Sequence, residues 1–322
     1  MLIDLIKKHL KLISGVIFFV CVLAIVLIIW NSLPPRDFPA DSIVSIKEGS
    51  GLNSIALQLA EDHIIKSAFL YKAYSVILRD GHSVQAGDYL FDSPQSVLRV
   101  AYRMVNGIYD LPRIKIMVPE GMASFDIAKI LIKNISNFDE KAFLVLAKPK
   151  EGYLFPDTYY FQMNTTPEQA MNEMTANLQH KIQAIQSDIS LFGRSTDDVI
   201  KMASIIEKEA TSSADRRIIA GILWKRLDSK YPLQVDPPFY YILNKDSAKL
   251  TLDDLNIDSP YNLYKHLGLP PTAIGNPGLE AISDTVNPTK TDFWYYLSDS
   301  KGNMHYAKSY EGHLANKEKY VR

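Results

Sequence analysis

Residues 12–30 read LISGVIFFVCVLAIVLIIW, and this stretch decides how the rest of the chain is organised. It contains no charged residue, and at about 1.5 Å per residue a helix of this length crosses a hydrocarbon core of roughly 30 Å. Lys7, Lys8 and Lys11 precede it. Because basic flanks stay in the cytoplasm, we expect residues 1–11 to form a cytoplasmic stub, residues 12–30 a transmembrane helix, and everything that follows to lie outside the cytoplasm.

A cleaved signal peptide is the alternative explanation for this segment. However, the apolar run is longer than the usual h-region of a signal peptide, and no small-x-small cleavage site follows it. A retained anchor is therefore favoured. Cys21, the one cysteine of the chain, lies inside the span, so the exported part can form neither a disulfide nor a zinc–thiolate site.

The composition indicates ordinary globular protein beyond the anchor. Of the whole chain, 47% is hydrophobic and 22% is charged, and the formal net charge is −1. This balance is typical of packed domains and not of a disordered stalk. It also lacks the basic excess with which proteins bind nucleic acid, so we expect no nucleic-acid partner.

The segment after the anchor predicts a small α+β unit. Three prolines within residues 31–40 indicate a short, stiff linker. Residues 41–112 then follow the order strand, helix, helix, strand, and the order resembles that of the sugar-binding module called LysM. The predicted elements are a strand at 43–47, helices at 52–61 and 67–78, a strand within 85–91, and a further helix at 93–105.

The remaining residues, 113–322, predict a larger α+β domain. Residues 113–118 alternate in the manner of a strand, and Ser124 is placed to cap the helix that follows. A loop at 151–159, EGYLFPDTY, is dense in glycine, proline, aromatic residues and acids. Such a loop serves either as a turn or as the wall of a substrate site, and the residues alone leave both open.

The helix predicted at 195–210, STDDVIKMASIIEKEA, carries the strongest candidate for chemistry. Ser195 or Thr196 caps it, and Glu209 lies in its last turn beside apolar side chains, with Glu207 on the opposite shoulder. A carboxyl among apolar groups, at the negative end of a helix dipole, tends to keep its proton, as a general acid must near neutral pH. The alternative is that both acids are surface residues of an ordinary helix.

Seven short motifs occur in order along the chain. They are VPEG (118–121), EGYLFPDT (151–158), ASIIEKE (203–209), LQVDP (233–237), YN (261–262), GLPP (268–271) and NPG (276–278). Together they resemble the endolytic murein transglycosylase family, also called MltG or YceG-like, over nearly the whole chain. That family has a single N-terminal anchor, a LysM-like unit and an extracytoplasmic catalytic part. One departure is Thr272, which stands where a glycine is expected.

The resemblance implies a lytic transglycosylase. Such an enzyme cuts peptidoglycan glycan strands between N-acetylmuramic acid and N-acetylglucosamine, leaves 1,6-anhydro ends and so terminates strand elongation. It is anchored in the bacterial inner membrane with its catalytic domain in the periplasm, close to peptidoglycan synthases, and it needs no metal or cofactor. The family's catalytic acid is the second Glu of the Glu-Lys-Glu motif, which corresponds to Glu209.

Further residues of the shared motifs are expected to contact the sugar or to position groups that do. They are Gln234, Asp236, Tyr261, Asn262 and Asn276, with Glu151 and Asp157 as the next candidates.

Two other functions stay open from the residues alone. One is a non-catalytic, membrane-tethered scaffold that binds glycan. The other is a two-carboxylate muramidase in which Glu207 or Asp236 is the partner of Glu209. Other chemistries are disfavoured, because the sequence contains no HExxH zinc motif, no G-x-S-x-G elbow and no phosphate-binding glycine loop.

Overall fold

The computed structural model describes residues 2–78, 84–245 and 249–321, with side chains from residue 14 onward. Most of the predicted cytoplasmic stub, residues 1–11, therefore has a described backbone but no described side chains. Helices and short strands make up a mixed α+β chain, as predicted. The chain divides into two compact units, Met1–Pro112 and Arg113–Arg322.

The first unit opens with a long helix, α1 (Leu2–Ser32). Its segment Ser14–Ser32 is long and apolar enough to cross a membrane, and none of it is buried inside the protein. Among the described residues it is the one helix that meets this test. The first unit continues with β1 (Ser42–Ile46), α2 (Leu52–Glu61), α3 (Ala68–Leu78), β2 (Gly87–Phe91) and α4 (Val97–Val105).

The strands β1 and β2 of the first unit form an antiparallel pair. On β1, Val44 and Ile46 face inward, where Tyr71, Tyr89 and Phe91 fill the core. The predicted order of strand, helix, helix, strand is therefore present, while the likeness to LysM stays a prediction.

Helix α4 begins later than the predicted 93–105. The Ser96 hydroxyl accepts a hydrogen bond from the backbone amide of Arg99 at 3.3 Å and so caps the helix at that point. A residue that caps lies outside the helix, which explains why residues 93–95 are not helical.

The second unit is built mainly from helices, with two strand pairs. β3 is antiparallel to β4, and β5 to β6. The elements are β3 (Arg113–Met117), α5 (Ser124–Asn134), α6 (Glu140–Ala147), β4 (Thr158–Gln162), α7 (Pro167–Gln183), α8 (Gln186–Phe192), α9 (Thr196–Glu209), α10 (Ser213–Asp228), α11 (Pro237–Leu243), α12 (Leu279–Val286), β5 (Tyr295–Ser298), β6 (Met304–Ala307) and α13 (Tyr310–Tyr320).

The predicted cap of α5 is wrong. Ala123 occupies the N-cap position, and Ser124 is the first helical residue. A carboxylate from a distant loop takes over the capping, because the Ser124 amide and hydroxyl both donate to Glu151, the hydroxyl at 2.6 Å. Ionised carboxylates are favoured at this positive end of a helix.

Helix α9 is the central element of the second unit. One of its sides packs in an apolar cluster with α10, through Met202, Ile205 and Ile206. Another side packs in a second cluster with α12, through residues such as Val199 and Ala203. Because the helix is held from two directions, the position of its C-terminal residue is fixed by the core.

Candidate active site

Helix α9 carries Glu209 as its last residue. At the other end, the Ser195 hydroxyl accepts a hydrogen bond from the backbone amide of Asp198 at 3.1 Å, so Ser195 is the cap. Ala210 then leaves the helix in extended conformation. The cap, the apolar faces and the sharp end together place one acidic side chain at a defined point in the second unit.

The environment of Glu209 stabilises its protonated form. Its pKa is raised to about 8; removal from water is the largest cause, and the negative charge of Asp236 adds to it. A hydrogen bond from the Tyr296 hydroxyl and the positive charge of Arg226 act in the opposite direction. The residue still keeps a partly exposed surface. Burial of the carboxyl therefore favours the protonated form of Glu209 at neutral pH.

Asp236 is held beside Glu209 by a tyrosine. The Tyr264 hydroxyl donates a hydrogen bond to Asp236 Oδ1 at 2.7 Å. The two loops that carry these residues are joined along the backbone as well, because the amide of Gln234 donates to the carbonyl of Leu263 at 3.1 Å. The second carboxylate of the site thus has a defined position.

Arg226, on α10, brings a positive charge to the same place. Its side chain is buried, and its guanidinium donates to the carbonyl oxygens of Trp294, at 2.9 and 2.6 Å, and of Leu233. These acceptors are neutral, so the charge of Arg226 is not cancelled by a directly bonded carboxylate. Arg226 therefore joins the start of β5 to the loop of Asp236 and balances part of the negative charge there.

Gln234 has an unusual backbone conformation. Its φ is +52°, in the left-handed region, and its side chain is exposed between the buried residues Leu233 and Val235. For a residue with a Cβ this conformation costs about 1 kcal/mol, and such strain is concentrated at functional sites. The strained turn directs Gln234 to solvent two residues before Asp236.

Comparison with known proteins identifies the family. A model of the YceG-like family matches residues 44–319. The chain belongs to the YceG-like family. The family expected from the seven motifs is confirmed.

Relatives of known description extend the match over most of the YceG-like chain. An endolytic murein transglycosylase of Bacillus subtilis (strain 168) is 30% identical over 313 residues, which cover 89% of this chain and 86% of that one. One of Streptococcus pneumoniae (strain D39) is 28% identical and covers 90% of this chain, but only 61% of the relative. A crystal structure of a yceG-like protein of Listeria monocytogenes is 29% identical, with a TM-score of 0.59 over 85% of this chain and 98% of that one.

Tyr261 of this YceG-like chain is half-buried near a second tyrosine. Its hydroxyl lies 2.9 Å from the Thr272 hydroxyl, and its ring centroid lies 5.1 Å from that of Tyr241. Thr272 is the residue that stands where the motif predicts glycine, so the departure supplies a hydrogen bond that glycine lacks. Tyr261 stays a predicted sugar contact.

Asn262 is fully buried and bonded within its own loop. Its amide nitrogen donates to the carbonyl oxygens of Leu255 and Ile257, both at 2.9 Å, and its side-chain oxygen accepts from the amide of Tyr264 at 3.1 Å. Of the two predicted roles, sugar contact and positioning, this geometry favours positioning, because it sets the backbone of the tyrosine that holds Asp236.

Glu151 and Asn276, two further candidates, lie together in a buried network. Asn276 donates from its amide to Glu151 Oε1 at 3.0 Å, and Ser124 donates to the same carboxyl. Burial raises the pKa of Glu151 to about 6, while these hydrogen bonds and one from Tyr241 lower it. The network joins three distant segments of the chain, so we assign it to positioning.

Asp157 lies at a third place. Its carboxylate accepts a hydrogen bond from Asn177 at 3.0 Å and forms an ion pair with Lys181 at 3.3 Å. Burial raises the pKa of Asp157, but these contacts lower it by more, so the pKa lies below its usual value. With Phe155 and Glu280 it lines a cavity of about 560 Å³. Glu209 does not line that cavity, so the structure does not bring Asp157 and the predicted acid into one site.

The contacts of Glu207 hold parts of the fold together. Its carboxylate accepts a hydrogen bond from the amide of Gly278 at 2.8 Å, at the N-terminus of α12, and lies 3.9 Å from Arg216. Gly278 also packs so closely on Glu120 that a Cβ there would lie 2.0 Å from a carboxylate oxygen. The Glu120 side chain is exposed and can move aside, so this contact alone does not require a glycine. The negative charge that raises the pKa of Glu209 is that of Asp236.

Four residues around these groups are not predicted from the sequence. Tyr264, Tyr296, Arg226 and Tyr241 were not predicted as site residues, although Tyr264 follows the YN motif by two positions. The other three belong to elements that come together only in the folded protein.

In the described part of the chain, no group of three or more His, Cys, Asp or Glu side chains is arranged to hold a metal ion.

Proposed function

We propose that this YceG-like chain is an endolytic murein transglycosylase, with Glu209 as its single catalytic acid. The observation that carries the assignment is the state of Glu209. Its carboxyl has a pKa raised to about 8, at the end of a helix that the core holds on two sides, and it lies beside a second carboxylate. The substrate is the bond between N-acetylmuramic acid and N-acetylglucosamine within a peptidoglycan strand.

In the first step Glu209 protonates the oxygen of the glycosidic bond. The bond between that oxygen and C1 of the muramic acid breaks, and positive charge develops at C1. Asp236, two positions after the exposed Gln234, contributes a negative charge that stabilises this cationic state. The same charge helps Glu209 to hold its proton until the substrate takes it.

In the second step the Glu209 carboxylate acts as the base. It takes the proton from the C6 hydroxyl of the muramic acid, the oxygen attacks C1, and a 1,6-anhydro ring closes without water. A carboxylate with a raised pKa is a stronger base than an ordinary glutamate, so one shift serves both steps. At the end of the cycle Glu209 is protonated again.

The test is the product formed from isolated sacculi by the purified full-length chain. The proposal expects anhydro-ended fragments, lighter by one water than hydrolysis products in mass spectrometry, and their loss in Glu209→Gln. The matched control is Glu207→Gln, on the same helix, whose amide oxygen can still accept from Gly278. Reducing muramic acid ends would instead indicate a two-carboxylate hydrolase with Asp236 as the partner.

We also propose that α1 anchors the protein in the inner membrane, with the N-terminus in the cytoplasm and the second unit in the periplasm. The apolar segment Ser14–Ser32 and the lysines before residue 12 support this orientation. Protease added to spheroplasts should digest the second unit, and protection of that unit would contradict the orientation. Peptidoglycan synthases in the same membrane are the proposed protein partners, to be tested by co-purification.

A further inference from the structure

Helix α3 of the first unit presents an apolar stripe to solvent. The side chains of Phe69, Val76 and Ile77 are 74%, 61% and 76% exposed. Together with Ala73 they follow the spacing i, i+4, i+7, i+8, which places them on one face of the helix. Tyr71 faces the other way and is buried in the core. Among the residues that the structure describes, the packing of the first unit therefore leaves this apolar face uncovered.

Two contacts attach the α3 region to the end of α1. The Ser32 and Tyr74 hydroxyls lie 3.2 Å apart, and the Lys66 ammonium donates to the carbonyl of Trp30 at 3.5 Å and lies 4.9 Å from its ring centroid. The attachment points on α1 are two residues apart, or about 3 Å along its axis. Those on the α3 side, Lys66 just before the helix and Tyr74 within it, are eight residues apart, which fits a helix that crosses the end of α1 better than one that runs alongside it.

The end of α1 is also where a membrane surface is expected. Tryptophan is enriched at the boundary between lipid and water, and lysine side chains reach from apolar surroundings toward headgroups. Trp30 and Lys66 form such a pair at the end of the span Ser14–Ser32. A helix that lies across α1 at this level lies close to the plane of the bilayer surface.

We propose that α3 is an interfacial helix, with Phe69, Val76 and Ile77 inserted between the lipid headgroups of the periplasmic leaflet. The inference rests on the proposed anchoring by α1 and goes beyond it, because it holds the first unit against the bilayer. The chemistry of α3 fits: it has no acidic residue, and its one charged residue, Lys72, is compatible with anionic lipid. Such helices bury their apolar face about 5–10 Å deep.

The test uses the full-length chain with Cys21→Ser, reconstituted in vesicles of phosphatidylethanolamine and phosphatidylglycerol. An environment-sensitive fluorophore is attached at Ile77→Cys, and a nitroxide-labelled lipid with its spin label near the headgroup is the quencher. The matched control is Ile43→Cys. Ile43 is 54% exposed on β1, on the face opposite to the core-facing Val44.

The proposal expects a blue-shifted emission at Ile77 and quenching at least about twofold stronger than at Ile43, as depth in the interface requires. Phe69→Cys, at the other end of the stripe, should behave like Ile77→Cys. Equal quenching at Ile77 and Ile43 overturns the inference. A blue shift without quenching, which grows with the protein-to-lipid ratio, overturns it in favour of a second copy of the chain. Failure of the protein to float with the vesicles would instead overturn the anchoring by α1.

Discussion

Two carboxyl groups of the second unit, Glu209 and Glu151, have raised pKa values for the same leading reason, and their surroundings differ. Burial raises the pKa of Glu209 to about 8 and that of Glu151 to about 6. Glu151 accepts hydrogen bonds from Ser124 and Asn276. Glu209 accepts one hydrogen bond, from Tyr296, which lowers its pKa. The negative charge of Asp236 raises the pKa of Glu209. One carboxyl is saturated with donors, and the other is not.

This difference separates a structural acid from a reactive one. A carboxylate surrounded by donors is stabilised in place, and each donor is left unsatisfied if the acid is removed. A carboxyl with few donors and a like charge nearby holds a proton that it can transfer. A raised pKa alone therefore does not identify the catalytic residue. Substitutions of Glu209 and Glu151 should have different effects, on activity for Glu209 and on stability for Glu151.

The largest effect is expected from Glu209→Gln. The amide cannot transfer a proton, so release of anhydro-ended fragments should fall by about a thousandfold, within the range of general acid–base catalysis. The unfolding midpoint should not fall, because a neutral amide replaces a carboxyl that already prefers its neutral form. Product is measured by mass spectrometry at pH 7. Activity within tenfold of the unsubstituted chain would remove Glu209 from the mechanism.

Glu151→Ala should act on stability instead. It leaves the amide and hydroxyl of Ser124 and the amide of Asn276 without their acceptor in a buried place, which should cost about 3 kcal/mol. Tryptophan fluorescence during urea unfolding measures the loss, since Trp224 and Trp294 report on the second unit. Activity per folded molecule should stay within about twofold at low temperature. A loss of activity with unchanged unfolding would place Glu151 in the reaction.

Glu151 should also make stability depend on pH. Its pKa is raised from 4.5 to about 6, so the folded state binds its proton more tightly than the unfolded state does. Its contribution is therefore complete below pH 4.5 and is lost as the pH rises through 6, by about 2 kcal/mol in total. The free energy of unfolding is compared between the unsubstituted chain and Glu151→Gln, which cannot titrate. A difference that does not change across this interval would contradict the assignment.

Asp236→Asn tests the charge beside the acid. Removing this negative charge lowers the pKa of Glu209, so the fall of activity at high pH should move to lower pH. We expect kcat/KM at the optimum to fall by about tenfold, because the cationic intermediate loses a stabilising charge. The pH profile of anhydro-product release measures both effects. An unmoved high-pH limb would show that Asp236 does not act through Glu209.

Local patterns in the sequence predicted much of this molecule. Apolar periodicity and a serine cap placed α9 and Glu209 correctly, because both signals lie within one helix. The raised pKa was expected from apolar neighbours and the helix dipole, and burial is indeed its leading cause. The charge of Asp236 on Glu209 could not be derived, because it depends on two segments that meet only in the folded unit.

The prediction that Ser124 caps α5 was wrong for a similar reason. The serine at the helix start has the right chemistry for a cap, yet a carboxylate 27 residues away makes the bonds instead. Helix α11 is not among the elements predicted from the sequence, although two prolines suit the first turn of a helix. Long-range partners decide such cases, and periodicity does not report them.

The smallest effect is expected from Tyr264→Phe, which removes one hydrogen bond to Asp236 and leaves both carboxyls in place. Water can replace the lost donor because Asp236 is only partly buried, so we expect a loss of about 1 kcal/mol, or roughly fivefold in kcat/KM. If Tyr264 acts by positioning Asp236, the loss should nearly vanish when Asp236→Asn is already present. Additive losses in the double variant would show that Tyr264 contacts the glycan independently. The four rates of this cycle, measured on one preparation of sacculi, decide between the two roles.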